Sequence, residues 1–366
     1  MYLACLWVAF FGYVAALSGC ALLPGRAVAG LIGACVLAFA LAPPLLSQDV
    51  FSYVSYARLG AKHGLNPYVD VPLDVPSDPS LPFVGRGAGS ADRGWQDDVS
   101  AYGPLFTLAT YPLAPLSVPA AMWTLKAVAA LSVLGLAGLA ARLAPARGVD
   151  RRTAAVFVAL NPLVLVHVVG GAHNDGLMML VALAGCGSVL ALREPAGGAA
   201  LASAVAIKVS AAFAAPFALI GTARRGRLLA GALAATAAIA VAAAAAFGWH
   251  ALEAIGLAGE NQAEMSHYSV PSTVARITGS DPDAVRVAAL VAYALAVAGL
   301  VWRCARGADW IAMAGWAALG LLLATGWLLP WYLVWLLPFA ALARSGPLAA
   351  AAIALTAFQL INRVPL

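Results

Sequence analysis

The chain has 366 residues, 63% of them hydrophobic and 10% charged, with a formal net charge of +5. Soluble domains carry roughly 25% charged residues, so this chain lacks the polar surface a soluble globule needs and reads as an integral membrane protein. Its basic residues sit in short clusters between apolar runs, which is how loops on one side of a membrane look, so no nucleic-acid partner is expected.

A bilayer core about 30 Å thick takes about 20 apolar residues per helix, and the chain offers ten to twelve such runs. Ala, Leu and Gly dominate and strand-like alternation is missing. The expected fold is therefore an all-α bundle of about 10–12 transmembrane or re-entrant helices, forming one polytopic domain over residues 1–366. The five cysteines lie inside apolar runs without CxxC spacing and read as small hydrophobes.

In chain order, two spans come first, near 3–23 and 27–46, joined by the turn "LPGR". The first has neither a basic n-region nor an A-x-A site, so it is a span and not a cleaved signal. The longest polar segment follows, about 47–102, with seven Asp and four basic residues. Within it "SQDVFSYVSYARLGAKHG" reads as an amphipathic helix, with Ser47 as candidate cap, Gly64 as stop and Pro67 beyond. "VPLDVPSDPSLPFVGRGAGSADRG" reads as coil. Next come the proline-broken "YGPLFTLATYPLAPL" and spans near 120–143, 153–171, 176–192, 228–247, 284–302 and 309–328. The apolar stretch 331–362 is interrupted by prolines, and a second polar loop runs over 248–283.

Arg142 to Arg152, Arg193, "ARRGR" at 223–227 and Arg303 with Arg306 mark the expected cytoplasmic face. The Asp-rich loop, the turn at His173 and the 248–283 loop then share the opposite face. One conflict remains: Arg193 and Arg224 belong on the same side, yet 197–221 is a single apolar run. A broken hairpin turning near Lys208 is the expected resolution, since non-helical backbone at depth is tolerated where it lines a protein cavity, and a misread span is the alternative.

Four places hold residues with chemistry. Asp49, at the membrane edge, shares a helix face with Tyr53 and Tyr56 at i, i+4 and i+7, while Arg58 and Lys62 lie opposite. A partly desolvated carboxylate among phenols suits a general base; a plain helix-start Asp is the ordinary alternative. Lys208 sits in "AVAIKVSAAFAAPFAL", where a lysine costs about 2.5–3.5 kcal/mol at the bilayer centre. No acidic residue is near it in sequence, so a bound anion such as a lipid phosphate is expected to supply the charge; snorkelling is the alternative. "VHVVGGAHNDGLMMLVALAG" puts His173, Asn174 and Asp175 behind two glycines, where a capped turn would need only one of them. "ENQAEMSHYSVPS" offers His267 and Tyr268 for a sugar or phosphate, or is merely a solvated loop. "LLPWYLVWLLP" reads as an interfacial aromatic belt. Nothing matches a Walker loop, a Rossmann fingerprint, a zinc spacing or a nucleophile elbow.

"LSQDVFSYVSYARLGAKHGLNPYVDVP", "SAYGPLFTL", "NPLVLVHVVGGAHNDGLMM", "AIKVSAAFAAPF" and "LPWYLVWLLPFAAL" occur in that order over about 40–345. Together they resemble the bacterial polyprenol-phosphate-mannose-dependent mannosyltransferases, particularly the α-1,6-mannosyltransferases of actinobacteria. The resemblance implies a GT-C fold and a multi-pass cell-membrane enzyme with its site facing the extracytoplasmic side. It implies a polyprenyl-phosphate-linked sugar as donor and a glycolipid or glycan hydroxyl as acceptor. Asp49 falls on the presumed base, His173, Asn174 and Asp175 on the "GGAHND" match, and Lys208 on the basic residue of "IKVS".

An inverting transfer of mannose fits these residues. Asp49 or Asp175 takes the acceptor proton, Lys208 with His267 or Arg58 neutralises the departing phosphate, and Tyr53, Tyr56, His173, Asn174 and Tyr268 contact substrate. On this reading neither a metal nor a cofactor is needed. A secondary transporter is the rival, since it too uses broken helices and intramembrane charge, but it has no need of the large Asp-rich loop. A non-catalytic lipid-handling protein is a third reading, against which Asp49 and Lys208 speak.

Overall fold

The computed structural model describes residues 2–85, 95–252 and 265–361, and among these every regular element is helical. The helices are α1 (Tyr2–Gly19), α2 (Gly25–Leu41), α3 (Asp49–His63), α4 (Pro104–Thr110), α5 (Val118–Leu143), α6 (Arg151–Ala159), α7 (Asp175–Leu190) and α8 (Glu194–Ile207). They continue as α9 (Ala215–Gly221), α10 (Arg225–Phe247), α11 (Val270–Thr278), α12 (Pro282–Ala305), α13 (Trp310–Ala324), α14 (Leu337–Leu342) and α15 (Gly346–Gln359). Four apolar stretches are long enough by themselves to cross a bilayer: Leu3–Leu22, Val118–Arg147, Arg225–Ala251 and Pro282–Ala305. Six more apolar helices are shorter, and the whole is the all-α membrane bundle that composition demands. Parts of both expected loops, 86–94 and 253–264, lie outside the described residues.

The arginine clusters gather at one end of the bundle. Arg152 donates to the Leu23 carbonyl in the "LPGR" turn (2.9 Å). Arg147 pairs with Asp309 and donates to the Leu342 carbonyl. Charges that cannot enter lipid are thus collected in the turns between spans. Asp150, the cap of α6, accepts from the backbone amides of Arg152 and Thr153.

The conflict over 197–221 resolves as a broken hairpin. α8 and α10 pack so closely that a Cβ at Gly198 would meet the Leu228 carbonyl and one at Gly231 the Pro195 carbonyl. The starts of both helices are therefore neighbours at the arginine end. α8 climbs away from that end until Lys208, where the backbone is extended (φ −157°, ψ 125°). The chain returns as a 3-10 turn, Val209–Ala214, and then α9, whose last residue Gly221 lies against Trp310, just beyond Asp309. Two short arms replace one span, and Lys208 stands at their apex.

At that other end α3 lies across the bundle. It begins at Asp49 and stops at Gly64, whose left-handed backbone (φ 70°) closes the last turn. Ser47 does not cap it: the capping position is Gln48, and the Ser47 hydroxyl instead donates to Asp49 Oδ1 (3.0 Å) while accepting the Asp49 amide (3.2 Å). The first loop is folded back onto α3 by charge. Arg58, buried on the far side of the helix, donates to Asp78 (2.9 Å) and to the carbonyls of Ala114 and Leu116. His63 also reaches Asp78 (2.7 Å).

Burial opposes ionisation of Asp78, but the hydrogen bonds from Arg58, Ser80 and His63 outweigh it and hold the carboxyl well below the usual range. A depressed acid stabilises the fold at every pH above its unfolded value and loses that contribution only as pH falls through the folded one. The loop should therefore stay docked down to strongly acid pH. Arg58→Met removes one half of a buried pair and is expected to destabilise loop docking by about 3–5 kcal/mol. Limited proteolysis within 65–100 should show it as faster cleavage in the variant, whereas equal rates would show the pair to be idle.

Candidate active site

The site forms where three backbone irregularities meet. After α6 the chain widens into a π-helical turn, Val164–Val169, and then doubles back through Gly170 and Gly171. Neither glycine has room for a side chain: a Cβ at Gly170 would lie 2.2 Å from the Val166 carbonyl, and one at Gly171 2.5 Å from that of His167. Ala172 follows in the left-handed region (φ 58°), as does Leu46 (φ 56°) just before Asp49. Non-glycine residues held there cost about 1–3 kcal/mol each and cluster at functional sites. The Leu45 amide donates to the Gly170 carbonyl (3.1 Å), so the two strained connections are tied together.

That tie brings His173 against Asp49. His173 Nδ1 lies 3.4 Å from Asp49 Oδ2, and its ring stacks on Trp331 (centroids 3.6 Å apart, planes at 18°). The Tyr102 hydroxyl approaches the same Asp49 oxygen at 3.5 Å. Packing against the protein body raises the Asp49 carboxyl above its ordinary value, although Lys208 and Ser47 pull the other way. Its side chain keeps 28% exposure, so the carboxylate is both reachable and poorly solvated. His173 and Asn174 are buried, and neither side chain finds a hydrogen-bond partner among the described residues.

The second half of the site is an ion pair. Lys208 Nζ donates to both oxygens of Asp175 at 2.9 Å, and the Trp335 indole N–H donates to Asp175 Oδ1 at 2.7 Å. The ammonium also lies over the rings of Tyr332 (4.9 Å) and Trp335 (5.6 Å). Asp175 has no exposed side-chain surface, whereas Lys208 retains 19%. A lysine has three N–H donors, so one remains for a group in the open part of the site. Gly103 completes the wall. Its amide donates to the Ile207 carbonyl (3.1 Å), next to Lys208, and places Tyr102 over Asp49.

The structure brings Asp49, His173, Asn174, Asp175 and Lys208 together, with the Tyr53 ring edge-on to Tyr102 (centroids 4.7 Å), whereas Arg58, His267, Tyr268 and the hydroxyl of Tyr56 are engaged or placed elsewhere. Lys208 needs no bound anion for its charge, because Asp175, distant in sequence, supplies the partner. Arg58 is paired with Asp78 on the face of α3 opposite Asp49, and not with any residue of this cluster. Tyr56 gives its hydroxyl to the carbonyls of Asp98 and Val99, pinning the loop. His267 is exposed, with its carbonyl taken by Arg276, and Tyr268 is held by Gln359 through its own carbonyl. No contact joins either of them to Asp49 or Lys208 among the described residues.

The aromatic stretch is the converse error. Trp331, Tyr332 and Trp335 are buried and line the site, where an interfacial belt was expected. Pro330 and Pro338, which bracket them, signal an irregular segment inside the bundle, and that signal points away from a surface belt.

Fold and site together define an all-α membrane protein. One end of its bundle holds a reachable carboxylate opposite an ion-paired ammonium in an aromatic wall. The family model "Alpha-(1->6)-mannopyranosyltransferase, N-terminal domain" matches residues 1–224, and the chain belongs to that family. An alpha-(1->6)-mannopyranosyltransferase A of Mycobacterium tuberculosis is 32% identical over 191 residues, covering 48% of this chain and 33% of its own. The enzyme of the same name from Corynebacterium glutamicum is 31% identical over 189 residues, covering 50% and 36%. Alpha-(1->6)-mannopyranosyltransferase B of that organism is 27% identical over 161 residues, covering 42% and 25%. The chain thus matches about a third of the length of the first two relatives. No solved structure matches it.

Proposed function

We propose that the chain is a membrane mannosyltransferase that takes its sugar from a polyprenyl-phosphate carrier and passes it, with inversion, to a hydroxyl of a glycolipid or glycan. The names of the relatives support mannose and the transfer. The carrier is supported by the position of Lys208, a partly exposed cation at the apex of a broken hairpin in an apolar bundle, where a lipid-borne phosphate would find a counter-charge. With the arginine clusters on the cytoplasmic side, the site opens on the extracytoplasmic side of the plasma membrane.

The single observation that carries the chemistry is the unequal state of the two carboxylates. Asp175 is fully buried, with both oxygens held by Lys208 and one also by Trp335. Asp49 is reachable, and its Oδ2 has only long contacts. Asp49 is thus the base and Asp175 the holder of Lys208. The acceptor oxygen attacks the anomeric carbon as its proton passes to Asp49 Oδ2. The bond from that carbon to the phosphate oxygen breaks, and the phosphate leaves with its extra negative charge facing the Lys208 ammonium. Charge stabilised where it develops is usually the largest catalytic contribution.

The test is transfer of radiolabel from polyprenyl-phosphate-mannose to lipid-extractable glycan in membranes expressing the chain. Label moving with wild type but not with Asp49→Asn supports the reading. No transfer by the folded chain, with mannose and pentose donors both offered, would overturn it. Trp335→Phe keeps an aromatic ring in that place and removes the N–H to Asp175. Loss of a hydrogen bond to a charged group, about 1.5–3 kcal/mol, should slow turnover about 10-fold or more, and initial rates at saturating donor will show whether it does.

A further inference from the structure

One buried charge has no part in this chemistry. Lys126 lies within α5 and is wholly buried, and no carboxylate pairs with it among the described residues. Its ammonium donates instead to three backbone carbonyls, those of Gly170 (2.7 Å), Phe39 (3.2 Å) and Val169 (3.4 Å). Phe39 is in the last turn of α2, and Val169 and Gly170 end the π-helical turn. Carbonyls at a helix C-terminus lack intrahelical donors and carry a partial negative charge. Two such ends converge on one ammonium, which satisfies both.

The Gly170 carbonyl is shared: it accepts from Lys126 and from the Leu45 amide at once. From that atom the chain reaches His173 through left-handed Ala172, and from Leu45 it reaches Asp49 through left-handed Leu46. The approach of His173 to Asp49, 3.4 Å, has no hydrogen bond of its own to hold it, since both ring nitrogens are unpartnered. Its separation is therefore set by the backbone behind the two residues together with the Trp331 ring on which His173 stacks. We propose that Lys126 is a positioning residue that clamps the end of α2 to the Gly170 turn and thereby sets Asp49 against His173, Asn174 and Asp175.

The inference rests on Asp49 being the base, and two readouts keep the two claims apart. In Lys126→Met, hydrogen exchange by mass spectrometry in nanodiscs should accelerate in segments 45–49 and 167–173 and stay unchanged in α10 and α12. Mannosyl transfer should lose about 10–100-fold in kcat, the scale of a misplacement of about 1 Å at a reacting group, with little change in donor KM. Lys126→Arg keeps the charge and the donors and should restore both readouts in large part. If Lys126→Met does not accumulate folded, Lys126→Gln replaces it with the same expectations. Unchanged exchange in both segments, or unchanged kcat, would overturn the clamp. So would loss of activity through KM alone, or an arginine variant no better than methionine. If wild type itself transfers no mannose, the proposed function fails while the exchange measurement still decides the clamp.

Discussion

Asp49→Asn is expected to lower mannosyl transfer by about 10²–10⁴-fold, the range a positioned general base supplies. Asparagine keeps the shape, and its one carbonyl oxygen can still accept from Ser47, so donor binding should persist while turnover is lost. The pH profile gives a second, sharper test. Burial raises the Asp49 carboxyl pKa, and a base works only as the carboxylate. Activity should therefore fall as pH drops through a value above the ordinary carboxylate range near 4, and the small residual rate of the asparagine variant should lack that acid limb. Asp175→Asn should also be slow, because it loosens Lys208, but its acid limb should survive. Were the limb instead lost with Asp175 and kept with Asp49→Asn, the roles of the two acids would have to be exchanged.

Lys208→Met is expected to cost about 10²–10³-fold in turnover, the usual loss when one stabilising donor at a developing charge is removed. It also leaves the buried Asp175 carboxyl without its ammonium partner, and breaking such a pair destabilises by about 3–5 kcal/mol. The two effects can be separated. Lys208→Met with Asp175→Asn removes both charges, and the Trp335 N–H still has an oxygen to reach. Thermal stability should return in this double variant and turnover should not. A double variant that regains transfer would reduce Lys208 to a structural partner of Asp175. Unchanged stability in the single variant would mean that the pair is not closed in the membrane.

What the sequence by itself determined follows from energies that do not depend on neighbours. An apolar run in lipid must satisfy its own backbone, which makes it helical. Arginines cannot be buried in lipid without large cost, so their clusters marked one end, and with it the need for a hairpin at Lys208. Gly64 closed α3 because only a residue free of a Cβ penalty sits easily there. Asp49, Lys208 and the "GGAHND" turn stood out because polar groups in an apolar chain are expensive.

Pairing was decided by the tertiary structure alone. That Lys208 meets Asp175, that Arg58 is spent on Asp78, and that Trp331 covers His173 are contacts between residues far apart in the chain. Local composition is silent about such contacts. An aromatic residue near a proline reads the same whether lipid or a histidine lies against it. Lys126 shows the limit most plainly. One lysine in an ordinary helix gains its meaning only when two helix ends, from before and after it in sequence, fold against its ammonium.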